Sequence, residues 1–202
     1  LGEDAAGWDE IAAPLADAYR VIALDLRGHG SSDRSGDYSY EAMRDDVDQL
    51  LDVLDLVDVT LIGHSMGAMI AALLAERVPS RLGRLILVDA APLRDPLRAE
   101  VPPESPPGPV PFDWAALRAI RSQHNDPPPA WWEELDRIAV PTLIIAGGPS
   151  SHVPQEMLAA AAERIPGGEL ATVEGGGHFV HTTEPVVFLK LVTDFIARHR
   201  AR

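Results

Sequence analysis

Gly63-His64-Ser65-Met66-Gly67 follows the apolar run Val59-Thr60-Leu61-Ile62 and precedes a helix-prone run over residues 68–78, and that order decides how the chain is read. Strand, then Gly-x-Ser-x-Gly, then helix is the context of a nucleophile elbow. The turn is so tight that its serine takes a strained backbone conformation. Gly63 and Gly67 are expected to be small because larger side chains would strike the neighbouring strand and helix. The Ser65 hydroxyl is then held above a sheet at a helix N-terminus, where free N–H groups and the helix dipole favour developing negative charge. The plain alternative is a glycine-rich turn with an idle serine, and the flanking strand and helix signals weigh against it.

The 202 residues suffice for one domain with a real core, and 46% apolar with 24% charged residues is a globular balance. A net charge of −14 argues against nucleic acid and anionic membrane as partners and suits a small neutral or cationic ligand. With no cysteine, disulfides, thiolate catalysis and zinc–thiolate sites are excluded, and the redox compartment is left open. No apolar stretch reaches the length of a membrane span and no signal peptide is visible, so a cytoplasmic location is expected.

Strand-like and helix-like segments alternate, which indicates a mostly parallel α/β sheet with helices on both faces. Strands are expected at residues 20–26, 59–62, 82–88, 141–146 and 169–173. Helices are expected at 8–18, 40–56, 68–78, 113–122, 131–137, 154–164 and 184–198. Helix 40–56 carries Val47, Leu50, Leu51 and Leu54 on one face, and Asp45, Asp46, Asp48, Asp52 and Asp55 read as its solvated side. Residues 92–111 are proline-rich and irregular.

A serine hydroxyl needs a base within hydrogen-bond reach. His178 is the candidate: it follows a strand and Gly175-Gly176-Gly177, so a loop can bring its imidazole over the elbow. His178-x-x-His181 could suggest a metal pair, but no further ligand is spaced to complete one. The three glycines lack the spacing of a dinucleotide fingerprint. His64 reads as packing or hydrogen-bonding locally, and His29 and His152 as loop residues.

With the elbow, the late glycine-flanked His178 and this strand–helix order in view, the chain resembles an α/β-hydrolase from Leu1 to about Arg198. The segment Asp25-Leu26-Arg27-Gly28-His29-Gly30-Ser31-Ser32 resembles the structural turn after that family's fourth strand. The family's eight strands have spatial order 1-2-4-3-5-6-7-8, and by that comparison this chain starts just after the third, so it is expected to be a piece of a longer one. The resemblance implies a core over 1–91 and 140–202 with a short lid over 92–139, one domain overall. Phe112, Trp114, Trp131 and Trp132 either pack this lid or line a pocket, and Met66 and Met69 either join the core or floor a pocket.

The resemblance also implies a serine hydrolase acting on a carboxylic ester or related small acyl substrate through Ser65 and His178, with no cofactor or metal. In the family the acid usually follows the seventh strand, but here that stretch, Gly147-Gly148-Pro149-Ser150-Ser151-His152-Val153-Pro154, holds no carboxylate. Some members carry the acid after the sixth strand, which points to Asp89, with Asp95 a weaker alternative. Otherwise Ser150, Ser151 or a water orients His178, and Asp89 only binds backbone amides. The oxyanion donors implied are the amides of Met66 and of Leu1, or Gly2. A second reading, a non-catalytic small-molecule-binding member of the fold, is favoured by the missing carboxylate and opposed by Ser65 and His178.

Overall fold

Four segments pair into one parallel sheet, β1 (Val59–His64), β2 (Leu82–Val88), β3 (Thr142–Ala146) and β4 (Gly168–Thr172), in the spatial order β1-β2-β3-β4. β2 and β3 are almost wholly buried, which is why Leu85-Ile86-Leu87-Val88 and Leu143-Ile144-Ile145 read as continuous apolar runs rather than alternating ones. β1 and β4 lie at the edges and are half-exposed. The sheet belongs to a computed structural model that describes residues 1–34, 36–78 and 80–200.

The chain divides into two units, Leu1–Met43 with Asp95–Pro127, and Arg44–Arg94 with Pro128–Arg202. The sheet lies in the second. There helix α3 (Met66–Arg77) joins β1 to β2 and packs on both. Its residues Ala68 to Ala75 are all buried, so it is apolar nearly all round, as a central helix must be. α6 (Gln155–Arg164) joins β3 to β4 and packs on both. Between β2 and β3 come α5 (Ala130–Glu133) and a 3₁₀ turn, Glu134–Arg137. α7 (Val180–Thr183), a single turn that the sequence pattern does not signal, leads into α8 (Pro185–Arg198). Phe188, Val192, Phe195 and Ile196 form the buried stripe of α8.

Strand register sets the level of the site. His64 pairs with Val88, and Val88 with Ile145. The ladder continues one step further, with the Ser65 amide donating to the Val88 carbonyl (3.1 Å) and the Asp89 amide to Ile145 (2.8 Å). Ser65 and Asp89 are therefore the first residues beyond two neighbouring strands that end at the same height.

In the first unit, a 3₁₀ turn (Ala5–Trp8) and α1 (Asp9–Ala16) precede the loop at 25–32. The Asp25 carboxylate organises that loop by accepting from the Ala5 amide (2.8 Å) and from the Ser31 amide and hydroxyl (2.8 and 2.9 Å). α4 (Trp114–Asn125) is capped by Asp113, and its His124 meets the hydroxyl of fully buried Tyr40 at 2.7 Å. Tyr40 opens α2 (Tyr40–Val53), whose residues from Arg44 on belong to the second unit; there Val47 and Leu51 are buried, and Asp45 and Asp52 accept from Arg44 and Arg77, and from Arg81.

Residues 20–26, expected as a buried strand, form no strand, and Val21, Ile22 and Leu24 are 38%, 41% and 37% exposed. An apolar run becomes a strand only where a neighbour takes its N–H and C=O groups, and among the described residues none pairs with this one. Residues 92–111 contain no helix or strand, as their proline content implies. Among the described residues, no helix is long and apolar enough to cross a membrane.

Candidate active site

The elbow stands at the end of β1. Ser65 has φ 52° and ψ −117°, a conformation outside the regions open to most side chains. Gly63 explains how the chain turns there, because a Cβ on it would lie 2.2 Å from the Gly67 carbonyl oxygen. The expectation for Gly67 is corrected: a Cβ there would meet nothing within 4 Å. The close approach is made by the backbone of residue 67 against residue 63, so only the earlier position is sterically constrained. Met66 opens α3, whose first N–H groups have no acceptor within the helix and face the region of Ser65.

Three side chains of the second unit line up from this turn. Ser65 Oγ is 3.0 Å from His178 Nε2, and His178 Nδ1 is 2.8 Å from Asp89 Oδ2. A carboxylate only accepts, so Nδ1 carries the hydrogen. In the neutral ring Nε2 then offers its lone pair to the serine hydroxyl, which is the polarity proton abstraction requires.

Asp89 is fully buried at the end of β2, with φ 46°. Burial pushes its carboxyl upward, but hydrogen bonds from His178, the Ser151 hydroxyl and the Gly147 amide outweigh it and hold the group below the usual carboxylate range. The Gly147 amide donates to Oδ1 at 2.8 Å, and Ser151 Oγ donates to Oδ2, the oxygen that also accepts from His178. The loop after β3 thus supplies donors to a carboxylate that comes from β2. Ser151 acts on Asp89 rather than on His178, and Ser150 Oγ turns to the Gly147 carbonyl (3.3 Å). Nothing local in the sequence signals Ser151's partner, which lies 62 residues away.

The loop carrying His178 lies against the one after β3. The Gly177 amide donates to the Gly147 carbonyl at 2.8 Å, and a Cβ on Gly147 would fall 1.9 Å from the Gly177 oxygen. His64, expected to pack or hydrogen-bond locally, instead donates from Nε2 to the His178 carbonyl at 2.7 Å, a partner 114 residues away. The exposed His152 ring packs on His178 with centroids 4.3 Å apart. His181 is 5% exposed, its pKa lowered to about 4 by burial and by His178.

Met66 and Met69 are buried, as is Trp131. In the first unit His29 donates from Nδ1 to the Arg27 carbonyl and stacks on Phe112, which packs on Trp114. Leu1 and Asp95 also belong to that unit. A cleft of about 590 Å³ in the second unit, lined by Arg94, Trp132, Glu163 and Arg164 among others, includes none of Ser65, Asp89 and His178. The Arg164 guanidinium there is already bonded to the Trp132 and Glu133 carbonyls.

Residues 1–110 match the family described as alpha/beta hydrolase fold. The chain belongs to that family. This α/β hydrolase is 30% identical over 220 aligned residues to the sn-1-specific diacylglycerol lipase ABHD11 of Mus musculus, covering 88% of this chain and 72% of that protein. It is 26% identical to the esterase YbfF of Escherichia coli, covering 92% of this chain and 86% of that one. Among solved structures, a hydrolase from Pseudomonas aeruginosa superposes with a TM-score of 0.82 at 25% identity, covering 97% of this chain and 86% of that one. An esterase from Exiguobacterium antarcticum superposes at 0.83 with 22% identity over 96% and 88%, a likeness of fold. The chain is accordingly a hydrolytic enzyme.

Proposed function

We propose that this α/β hydrolase cleaves a carboxylic ester, or a related small acyl compound, through an acyl-enzyme on Ser65. The observation that carries the reading is the relay Ser65 Oγ–His178 Nε2–Asp89, with contacts of 3.0 and 2.8 Å. His178 takes the hydroxyl proton as Ser65 Oγ bonds to the acyl carbon, and the carbonyl electrons move onto oxygen. The N–H of Met66, at the positive end of α3, stabilises that oxyanion. Asp89 stays ionised and stabilises the imidazolium without taking its proton. As the tetrahedral species collapses, the C–O bond to the alcohol breaks and His178 protonates the leaving oxygen. Water then gives a proton to His178, adds to the acyl carbon and releases the acid, returning the proton to Ser65.

The relatives named as esterase and as diacylglycerol lipase support an ester as the substrate class. The test is mass spectrometry after fluorophosphonate labelling, with turnover of p-nitrophenyl acetate measured alongside. The expected result is one adduct on Ser65, lost in His178→Ala, with turnover lost in Ser65→Ala. A folded protein that takes no label would instead be a binding member of the fold.

A further inference from the structure

His64 lies at the last position of β1, one peptide bond before the nucleophile, yet its side chain reaches across to the base. Its Nε2 is 2.7 Å from the backbone oxygen of His178. A carbonyl can only accept, so the imidazole is the donor and its hydrogen is on Nε2. The ring is packed between His178 and His181, each with centroids at 4.7 Å, and Phe179 at 5.3 Å. Burial, reinforced by His181 and His178, lowers its pKa to about 3. It therefore stays neutral at ordinary pH and sets no second positive charge beside His178 when that ring is protonated.

The residues flanking His178 have their own anchors: the Gly176 amide donates to the Val173 carbonyl (3.0 Å), and the Phe179 carbonyl accepts from the Thr182 and Thr183 amides (2.9 Å each) and hydroxyls (3.0 Å each). The Gly177 amide is tied to the loop after β3, and Asp89 holds the imidazole by Nδ1. The carbonyl on the far side of the residue is tied by His64. We propose that His64 is a positioning residue that fixes the main chain of His178 so that its Nε2 stands at hydrogen-bond distance from Ser65. The contacts form a closed circuit, from the His64 ring to the His178 backbone, through the His178 ring to Ser65 Oγ, and back along one peptide bond to His64. Nucleophile and base are thereby referenced to the same strand end. The inference rests on the reading of Ser65 as nucleophile and His178 as base.

Losing the anchor lets the imidazole drift, and a displacement of about 1 Å costs on the order of 10²-fold in rate. The experiment compares the full chain with His64→Leu, His64→Asn and His64→Gln, measuring kcat and KM on p-nitrophenyl acetate, the rate of Ser65 labelling by a fluorophosphonate, and the melting temperature. Gln carries an amide N–H at the reach of histidine Nε2, whereas Asn carries one only at the reach of Nδ1. Expected for Leu and Asn is a fall of about 10–10²-fold in kcat and in labelling rate with KM unchanged, and substantial recovery in Gln. Should Leu fail to fold, the Asn and Gln pair, both polar and close in size, carries the same comparison. Folded Asn and Gln variants that label equally fast, or a loss that appears only in KM, would overturn the role of His64 while leaving Ser65 labelled in the parent. A parent that takes no label, or whose labelling survives Ser65→Ala, would overturn the underlying reading and this inference with it.

Discussion

Asp89, just beyond β2, and Glu76, in the last turn of α3, are carboxyl groups of the same unit in opposite situations. Asp89 is the more deeply buried, yet three donors converge on it and its pKa is lowered. Glu76 has a buried Oε1 with no hydrogen-bond partner among the described residues. Burial, with the nearby charge of Glu134, raises its pKa to about 8 from 4.5, and Arg137 and Arg44 offset only part of that. The difference follows from secondary structure. A helix uses its own amides internally and presents unpaired carbonyls at its C-terminal end, so a carboxyl there finds no donors and an unfavourable dipole. Strand ends release chain into loops whose amides and hydroxyls are free to turn on an acid.

The comparison is broken most severely by Asp89→Asn. If the carboxylate sets the tautomer and stabilises the imidazolium, turnover of p-nitrophenyl acetate falls by about 10⁴-fold. A near-parental rate would leave Asp89 as nothing more than a loop tie.

Ser151→Ala removes one of the three donors. Turnover is expected to fall by about tenfold, because a charge-assisted hydrogen bond contributes a few kcal/mol at most and two donors remain. The same variant has an acid signature. A carboxyl with a depressed native pKa contributes stability above its unfolded pKa and loses it as pH falls through the native one. Removing the donor raises the native pKa, so acid unfolding followed by circular dichroism should begin at higher pH than in the parent. His64 and His181 work in the same direction: with native pKa values of about 3 and 4, they take up protons on unfolding and cost stability as pH drops below 6.5.

Glu76 has the opposite sign. The native state holds a proton between pH 4.5 and about 8 that the unfolded chain has lost, so stability declines as pH rises through that window and stays reduced above it. Glu76→Gln abolishes the decline, with a gain of about 5 °C in melting temperature at pH 9 and little change at pH 5. Parallel melting curves for the two proteins at both pH values would remove Glu76 from the account.

The sequence made β2 legible to the residue, because the apolar run Leu85-Ile86-Leu87-Val88 beside a turn has one sensible reading. Residues 20–26 carry a similar apolar run and form no strand, since pairing depends on a neighbour that composition does not reveal. The elbow was legible because its chemistry is local to five residues. The acid was not: Asp89 came from the resemblance to family members that carry the acid after the sixth strand, and its contact with His178 spans 89 residues. His64 and Ser151 were harder still, because their partners lie 114 and 62 residues away and no periodicity marks them. Gly67 shows the reverse fault, a steric demand assumed from the motif that falls on Gly63 alone.

Ser65, Asp89 and His178 all follow the C-terminal ends of strands, while the linkers entering β1, β3 and β4 contribute nothing to the relay. The two rims of the sheet should therefore tolerate changes of chain length very differently. One residue inserted between β3 and His152, or between β4 and His178, displaces a donor or the base from a circuit that closes within hydrogen-bond distances. The same insertion at residues 55–57 or 166–167 lengthens a largely exposed connection that no reacting group depends on. Insertional scanning would map a sheet with one rim fixed in length and the other free to vary, and lineages that diversify this chain have room to do so on the second.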